Sequence, residues 1–175
     1  MKTTGVIRRI DELGRIVIPK EIRRNLGIRD GENIEIFTDE TSIILKKHSR
    51  IANYSDIINK IGDLTNTIMD YEVIITDREK VILALGTEVS SLANKSISKN
   101  LIDLIDQRES ITDNQEMNIL FEEQKLEGYF AIAPIISSND SVGLVIIYNR
   151  NKLSDSEIKY SKMFAKLVGE KIDIA

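Results

Sequence analysis

The sequence predicts an α+β protein made of two modules, and three features of the 175-residue chain support this prediction. An arginine-rich segment with two short apolar runs around a tight turn lies near the N-terminus. Charge is divided unevenly along the chain. Beyond residue 70, apolar β-hairpins alternate with amphipathic helices, the pattern of an antiparallel sheet covered by helices. We therefore expect a first module over 1–50, a linking helix over 51–70 and a second module over 71–175.

Amino-acid composition excludes several classes of protein. The chain has no cysteine and one histidine, His48, which excludes disulfides, thiolate chemistry and multi-histidine metal sites. Hydrophobic residues make up 42% of the chain and charged residues 30%, as in soluble globular proteins. No stretch has the ~18 apolar residues of a membrane helix, and the N-terminus lacks the apolar core of a signal peptide. We expect a cytoplasmic protein with no membrane partner.

The distribution of charge favours different partners for the two modules. The whole chain carries a formal net charge of −4. Residues 1–50 hold 11 Lys and Arg against 8 Asp and Glu, whereas residues 51–175 hold 13 against 20. The basic excess is strongest over residues 1–24, with 7 basic and 3 acidic side chains. A basic first module indicates a polyanionic partner, and DNA is the first candidate.

Short elements make up the first module. Pro19 lacks an N–H donor, which costs nothing in the first turn of a helix, and Gly27 is suited to end that helix. Ile22 and Leu26 lie four residues apart and are expected to face inward. The full prediction is a strand over 4–10, a turn over 11–14, a buried strand over 15–18, a helix over 20–26, and strands over 34–38 and 42–47.

The small size of this module predicts a partner chain. A unit of about 50 residues rarely buries enough apolar surface to be stable alone. Disulfides and metals are excluded by composition, so a second copy is the remaining source of stability. We therefore expect two copies to interleave into one β-barrel.

Four segments carry a specific pattern, namely Thr4–Pro19, Glu21–Arg24, Leu26–Ile28 and Ile43–Lys47. This pattern resembles the DNA-binding half of AbrB-type transition-state regulators, a family of swapped-hairpin barrels. The resemblance implies a dimeric swapped-hairpin β-barrel that binds double-stranded DNA. A shorter relative of the pattern also occurs in antitoxins, so the barrel alone does not determine the function.

Basic side chains on these segments are the candidate DNA contacts. A guanidinium group donates two parallel hydrogen bonds to a phosphate and keeps its charge at all relevant pH values. The resemblance implies DNA contacts by the four arginines that match the family's own, Arg8, Arg15, Arg23 and Arg24. Weaker candidates are Arg9, Lys2, Lys20, Lys46 and Lys47. The alternative is a solvated cationic surface. Because the module has no long recognition helix, recognition is expected to depend on phosphate contacts and DNA deformability, with limited base reading.

The second module alternates helices and strands. Residues 51–69 are predicted as a helix with an apolar seam of Ile51, Tyr54, Ile58, Ile61 and Ile68, and Thr65 fills the gap. The seam fits packing either within its own module or against a second helix in a dimer. The remaining elements are a hairpin over 72–85, a helix over 97–107, strands over 129–136 and 142–148, and a last helix with the capping box Ser154–Glu157 and the stripe Ile158, Ala165, Val168 and Ile172. This arrangement resembles a GAF sensor domain.

An AbrB-type barrel joined by a helix to a GAF-like domain, together with segments 94–98 and 106–108, resembles a family of sporulation regulators of spore-forming bacteria. That resemblance covers essentially the whole chain. It implies a transcription regulator of sporulation genes, located in the forespore, and a homotetramer built from dimeric barrels. The seams at 51–68 and 158–172 are the expected tetramer contacts. Activator and repressor roles both stay open.

Enzymatic function is not expected. The paired carboxylates Asp11–Glu12 and Glu122–Glu123 are adjacent residues of a turn or loop, where they are usually just solvated. Glycine-rich phosphate loops are absent from the sequence, and the sulfoxide reductases among GAF-like proteins need cysteine. We expect no metal and no cofactor. A GAF-like pocket is nevertheless suited to an unidentified small effector, with Phe121, Tyr129 and Phe130 as candidate lining residues.

Two functional hypotheses follow. The first is a transcription regulator with a DNA-binding barrel and an effector-sensing domain. The second is an antitoxin-like interaction module with autoregulatory DNA binding, which would carry a short flexible tail after residue 50. The apolar, ordered segment that follows residue 50 favours the first hypothesis.

Overall fold

The computed structural model describes residues 5–113, 117–118 and 125–173. The chain divides into two compact units, Met1–His48 and Ser49–Ala175. The predicted linking helix lies entirely inside the second unit, where it packs on the sheet. Of the helices in the described ranges, none is long and apolar enough to cross a membrane.

The first unit contains one short helix and one hairpin. Helix α1, Lys20–Asn25, follows Pro19, whose φ of −57° is already helical. Gly27 ends the helix with φ +61°, a conformation that glycine adopts without steric cost, and its N–H donates to the Arg24 carbonyl at 3.2 Å. Strands β1, Ile34–Asp39, and β2, Ser42–Lys47, pair antiparallel, with Ile34 opposite Lys47 and Asp39 opposite Ser42. The predicted helix and hairpin are confirmed here.

The two predicted N-terminal strands are not formed. Neither 5–10 nor 15–18 is a strand, and Thr4 lies outside the described residues. Ile7 is 88% exposed and Val17 74% exposed, so the prediction of a buried second strand is wrong for the single chain. Leu26 is also exposed instead of facing inward. The physical reason is that one two-stranded sheet provides no second layer to cover these side chains.

The second unit is built on a five-stranded antiparallel sheet. The strands are β3, Glu72–Thr76; β4, Val81–Leu85; β5, Ile111–Asp113; β8, Tyr129–Ser137; and β9, Asp140–Asn149. Their order across the sheet is β4-β3-β9-β8-β5. Two further short strands, β6, Met117–Asn118, and β7, Lys125–Leu126, pair with each other outside the sheet. The predicted hairpin and the two predicted long strands are confirmed, each within two residues.

Helices cover both faces of this sheet. Helix α2, Ser55–Met69, continues a 3₁₀ turn at Ile51–Tyr54 and shares one core with helix α4, Asp155–Asp173. Helix α3, Lys99–Gln107, lies over the opposite face. Strand β9 is buried over nearly all of its length because it lies in the middle of the sheet with a core on each side.

Most of the predicted seam of α2 packs against the sheet of its own unit. Of the two alternatives left open by the sequence, packing within the module therefore applies to most of the seam, and packing against a second helix in a dimer does not. Ile51, Ile58 and Thr65 are fully or almost fully buried, and the Thr65 hydroxyl lies 2.6 Å from the Tyr160 hydroxyl of α4. Ile68 is the exception, with 75% of its surface exposed. The stripe of α4 also faces inward, with Ala165 and Val168 buried and its two end residues half-buried. These buried positions are therefore not available as tetramer contacts.

Charged and polar groups fix the start of α4. Glu157 and Ser154 form the predicted capping box: the Ser154 N–H donates to the Glu157 carboxylate, and the Ser156 N–H donates to Ser154 Oγ at 3.2 Å. Tyr71 donates its hydroxyl proton to Glu157 Oε1 at 2.6 Å. Hydrogen bonds from Ser154 and then from Tyr71 lower the pKa of Glu157 to about 2. The hydrogen bond between Tyr71 and Glu157 is also the main reason that the pKa of Tyr71 rises to about 12.

The segment after β2 is attached firmly to the second unit. Ser49 donates its hydroxyl proton to Asp77 Oδ2 at 2.8 Å, and Asp77 Oδ1 accepts the N–H groups of Glu79 and Lys80 in the β3–β4 turn. Ile51 follows and is completely buried. The first residues of the second unit are therefore held by the β3–β4 turn and by the core of that unit.

Candidate nucleic-acid interface

Asp11 organises the turn that carries Arg15. Its Oδ1 accepts the N–H groups of Leu13 at 3.0 Å and of Arg15 at 2.8 Å, and its Oδ2 accepts Arg15 Nε at 2.7 Å. Gly14, with φ +74°, closes the turn by donating its N–H to the Asp11 carbonyl at 3.0 Å. The backbone hydrogen bond from Arg15, followed by the side-chain bond, lowers the pKa of Asp11 below its ordinary value. Asp11 is therefore an anion that holds the turn in one shape.

Arg15 is held by its inner nitrogen and remains 71% exposed. A guanidinium group has five N–H donors, and Nε supplies one of them. The four donors of the two terminal nitrogens are the ones whose fork geometry matches a phosphate. The turn therefore orients Arg15 without using the donors that a phosphate would need.

Helix α1 carries the second pair of arginines. Arg23 pairs through its terminal NH1 with the exposed carboxylate of Asp30, and its side chain is half-buried. Arg23 Nε is buried and has no hydrogen-bond partner. Arg24 lies exposed on the next position of the helix. The two arginines thus differ: one is held in place and the other projects into solvent.

The other predicted basic residues fall into separate environments. Arg8 and Arg9 are exposed, and Arg8 donates to the carbonyl of Ile7 at 3.2 Å. Lys20 is exposed at the start of α1, and Lys46 Nζ lies 4.9 Å from the centre of the Phe37 ring. Lys47 is half-buried with its Nζ 3.8 Å from Glu32 Oε1, which makes it the least accessible of the set. Lys2 lies outside the described residues.

The two aspartates that hold these arginines were not among the site residues predicted from the sequence. Asp30 follows α1 by five residues, and Asp11 opens the turn that ends at Arg15. The role of Asp11 could have been predicted from the sequence, because aspartates at the start of a turn commonly accept backbone N–H groups of the residues that follow. The role of Asp30 could not have been predicted, because its pairing with Arg23 depends on how the chain turns back after Gly27.

The second unit has a separate polar cavity of about 640 Å³. Tyr129, one of the three predicted lining residues, does line it. Phe130 does not, because its ring is completely buried in the core, 5.3 Å from the ring of Tyr148. Phe121 lies outside the described residues. In the parts of the chain that the structure describes, no three His, Asp or Glu side chains are grouped to hold a metal ion.

Comparison with known proteins identifies both halves of the chain. The family described as "Stage V sporulation protein T C-terminal, transcription factor" matches residues 53–173, and "Antidote-toxin recognition MazE, bacterial antitoxin" matches residues 7–53. The transition state regulatory protein AbrB of Bacillus subtilis (strain 168) is 56% identical over 48 residues, covering 27% of this chain and 50% of that protein.

Similarity to solved structures defines the fold of the second unit. The GAF domain from an Acinetobacter phosphoenolpyruvate-protein phosphotransferase superposes with a TM-score of 0.54 at 9% identity, covering 70% of this chain and 90% of that one. At this low identity the likeness concerns the fold alone. The chain is therefore an α+β protein that joins an AbrB-type N-terminal domain to a GAF-like domain.

One relative matches both halves of the chain together. Stage V sporulation protein T of Bacillus subtilis (strain 168) is 37% identical over 156 residues, which cover 87% of each chain. The present chain belongs to the stage V sporulation protein T family of transcription factors.

Proposed function

We propose that this chain is a DNA-binding transcription regulator of sporulation genes whose GAF-like unit senses a small effector. The observation that carries the proposal is the set of exposed or accessible arginines on the turn and on α1, in the segment where identity to AbrB is 56%. Mapping the sites that the protein occupies on the chromosome of sporulating cells tests it directly. Occupancy restricted to genes unrelated to sporulation, or no occupancy at all, would contradict the proposal.

Phosphate binding would affect the two held arginines differently. Arg15 keeps its bond to Asp11, because that bond uses Nε and leaves the terminal nitrogens for a phosphate. Arg23 would exchange Asp30 for a phosphate, and this exchange costs little because Asp30 is exposed, where an ion pair contributes little to stability. Release of counterions from DNA favours the complex. The proposed contacts remain Arg8, Arg15, Arg23 and Arg24, with the weaker set Arg9, Lys2, Lys20, Lys46 and Lys47.

The antitoxin hypothesis is less well supported. The match to the MazE family covers 7–53 only, and the chain continues into a second unit with a hydrophobic core on each face of its sheet. An antitoxin tail that wraps a toxin would have to be extended and exposed, whereas the segment from Ile51 onward is folded against the sheet. Catalysis has no place in the proposal, and the site of action is the chromosome in the cytoplasm, in the forespore if the family resemblance extends to location.

The first unit is expected to be stable only as a dimer. Its exposed apolar residues include Ile7 and Val17, and a second copy of the same unit would cover them as the other half of a barrel. A fragment of residues 1–50 should therefore have a thermal midpoint that rises with protein concentration, because association stabilises by mass action. Calorimetry over a hundredfold range of concentration measures this. A constant midpoint together with a monomeric mass by light scattering would contradict the expectation.

A tetramer is expected to use the outer faces of α2 and α4. Leu64 is 58% exposed on the same face of α2 as Ile68, and Met163 and Leu167 are exposed on α4. Because both helices lie over one face of the sheet, these residues offer an apolar surface to a second dimer. Leu64→Glu should halve the mass of the full chain measured by light scattering, whereas Asn59→Glu, at an exposed polar position on a different face of the same helix, should not. A dimeric mass for the unmodified chain, or a tetramer that survives Leu64→Glu, would refute this arrangement.

Asp11 is expected to act as a positioning residue for Arg15. Asp11→Asn removes the charge but keeps Oδ1, which accepts the N–H groups of Leu13 and Arg15; Asp11→Ala removes both. Both variants lose the same negative charge near DNA. A difference in DNA affinity between them therefore reports the shape of the turn and not its charge. Asp11→Ala should bind a DNA duplex about tenfold more weakly than Asp11→Asn, the effect of one or two lost hydrogen bonds. Fluorescence anisotropy measures this, and equal affinities for the two variants would show that the turn does not position Arg15.

A further inference from the structure

The cavity of the second unit contains an acidic corner with more hydrogen-bond acceptors than protons. The hydroxyl of Tyr148 lies 2.9 Å from Glu88 Oε2 and 2.8 Å from the carbonyl oxygen of Glu127. A phenol has a single proton to donate and can also accept. Two acceptors therefore share one proton, and Arg150 lies close enough to interact with the Tyr148 oxygen as well. Tyr148 is only 2% exposed, whereas the side chain of Glu88 is partly exposed, so solvent reaches this corner from the Glu88 side.

The protonation states of this corner are fixed. Burial, and then the hydrogen bond to Glu88, raises the pKa of Tyr148 to about 12. The hydrogen bond from Tyr148, assisted by Arg150, lowers the pKa of Glu88 below its ordinary value. Near neutral pH the phenol keeps its proton and the carboxylate keeps its charge. The corner therefore holds one carboxylate charge, which is paired with Arg150, and it cannot supply a further donor by its own titration.

The rim of the cavity next to this corner is basic. Arg150 pairs through Nε with the carboxylate of Glu88, which uses one of its five donors, and its side chain is exposed. Lys125 lines the same cavity. A carboxylate that reached this rim would meet the terminal nitrogens of Arg150 in the fork geometry that suits it. An anionic corner and a cationic rim therefore lie side by side, joined by the Glu88–Arg150 ion pair.

Apolar and backbone surface completes the cavity. Leu126 and Tyr129 line it between the two charged regions. Gly128 lets the loop backbone lie against the floor, because a Cβ at this position would be 2.5 Å from the Tyr148 ring and 2.8 Å from the Asn149 carbonyl. A volume of about 640 Å³ is within the range of sites for small molecules.

We propose that this cavity binds a small zwitterion, an α-amino acid or a short peptide, with its ammonium group in the corner formed by Glu88, Tyr148 and the Glu127 carbonyl and its carboxylate at Arg150. An ammonium group brings three donors to the oxygens of this corner, and the ligand carboxylate meets Arg150, so a zwitterion offers each member of the Glu88–Arg150 ion pair a partner of opposite charge. A purely anionic ligand would face Glu88 and Glu127, and a purely cationic one would face Arg150 and Lys125. The proposal rests on the sensing role proposed for the GAF-like unit and specifies the chemistry of the effector.

Calorimetric titration of the full chain with each of the twenty L-amino acids and with glycylglycine tests the proposal. At least one of them should bind saturably, and matched analogues that lack one charge should bind at least about tenfold more weakly. For L-phenylalanine these analogues are phenethylamine, without the carboxylate, and 3-phenylpropanoate, without the ammonium group. Stronger binding by free amino acids than by glycylglycine would identify an amino acid as the ligand. Stronger binding by glycylglycine would identify a short peptide.

Variants connect the binding to this cavity. Glu88→Gln keeps an oxygen for the Tyr148 proton and removes the charge, and Arg150→Gln removes the cation at an exposed position, so neither should prevent folding. Each should weaken the zwitterion at least about tenfold. Glu109→Gln and Lys152→Gln, exposed and outside the cavity, are the matched controls and should bind as the unmodified chain does. No saturable binding by any zwitterion at millimolar concentration, or equal binding by all four variants, overturns the proposal.

A DNA measurement separates this proposal from the function on which it rests. The titrations are carried out without DNA and report the cavity alone. DNA affinity with and without a saturating amino acid then reports regulation. Zwitterion binding that leaves DNA affinity unchanged would support the cavity and contradict the sensing role, whereas absence of DNA binding would contradict the regulator and leave the cavity result standing.

Discussion

Replacing Arg23 or Arg24 by alanine is expected to weaken DNA binding and to make the remaining binding less sensitive to salt. Each arginine that neutralises a phosphate contributes about −0.9 to the slope of log affinity against log salt concentration. Its loss should reduce the magnitude of that slope by about 1 for each copy of the chain that makes the contact. An arginine that contacts a base edge instead should change sequence preference, at a cost on the order of 1–3 kcal/mol.

These two substitutions are suited to the test because they should not disturb folding. Alanine favours the helix at least as well as arginine. Removal of Arg23 leaves Asp30 in solvent, where it needs no partner, and eliminates a buried nitrogen that has none. Asn25→Ala on the same helix changes no charge and serves as the matched control. Anisotropy titrations at several salt concentrations, with oligomeric mass checked, measure the effect; unchanged affinity and slope in both variants would mean that these arginines are merely solvated.

Gly169→Ala should destabilise the second unit strongly, although alanine is the better helix former. Gly169 lies in α4 where the helix meets β8, and a Cβ there would be 2.0 Å from the backbone carbonyl oxygen of Ile136. Backbone cannot rotate away, so the helix and the strand would have to separate. Overpacking lowers the free energy of unfolding by about 3 kcal/mol at the upper end of its usual range. The better helix propensity of alanine restores only about 1 kcal/mol of this loss.

Gly62→Ala is the matched control for this substitution. Gly62 is also a buried helix glycine, but a Cβ there would meet only the ends of the Leu83 and Leu85 side chains, at 2.7 and 2.9 Å. The ends of leucine side chains can change rotamer, so the packing cost of Gly62→Ala should be nearly offset by the gain in helix propensity. The net change in the free energy of unfolding should stay within about 1 kcal/mol. Urea unfolding of the full chain, followed by tyrosine fluorescence, measures both. All five tyrosines lie beyond residue 48 and the chain has no tryptophan, so the signal reports the second unit. Equal midpoints for the two variants would show that α4 and β8 adjust freely.

The elements that could be predicted from sequence are those whose signals are local. The capping box at Ser154–Glu157 marks the start of α4 because both of its hydrogen bonds join residues at most three apart. The hairpin of β3 and β4 is likewise defined by apolar runs on either side of a short turn. The match of the first 50 residues to a swapped-hairpin family is of the same kind, since that pattern is a series of turns, caps and short runs.

Burial in the first unit could not be predicted from one chain. The apolar run 15–18 predicts a buried strand, but Ile16 and Val17 are exposed because no described element of the same unit covers them. A sequence pattern states that a surface is apolar but does not state which chain covers it.

By itself, the sequence determined the two-module α+β organisation, the family and the basic segment. The tertiary structure decided which groups come together across long separations: Tyr148 reaches a glutamate 60 residues earlier, and Gly169 meets a carbonyl group of β8. Periodicity and turn chemistry describe which side of an element is apolar and where it ends, because they depend on neighbours within one or two turns. Contacts such as the Tyr148–Glu88 corner depend on the order of strands in the sheet and on backbone separation, which short-range patterns do not contain.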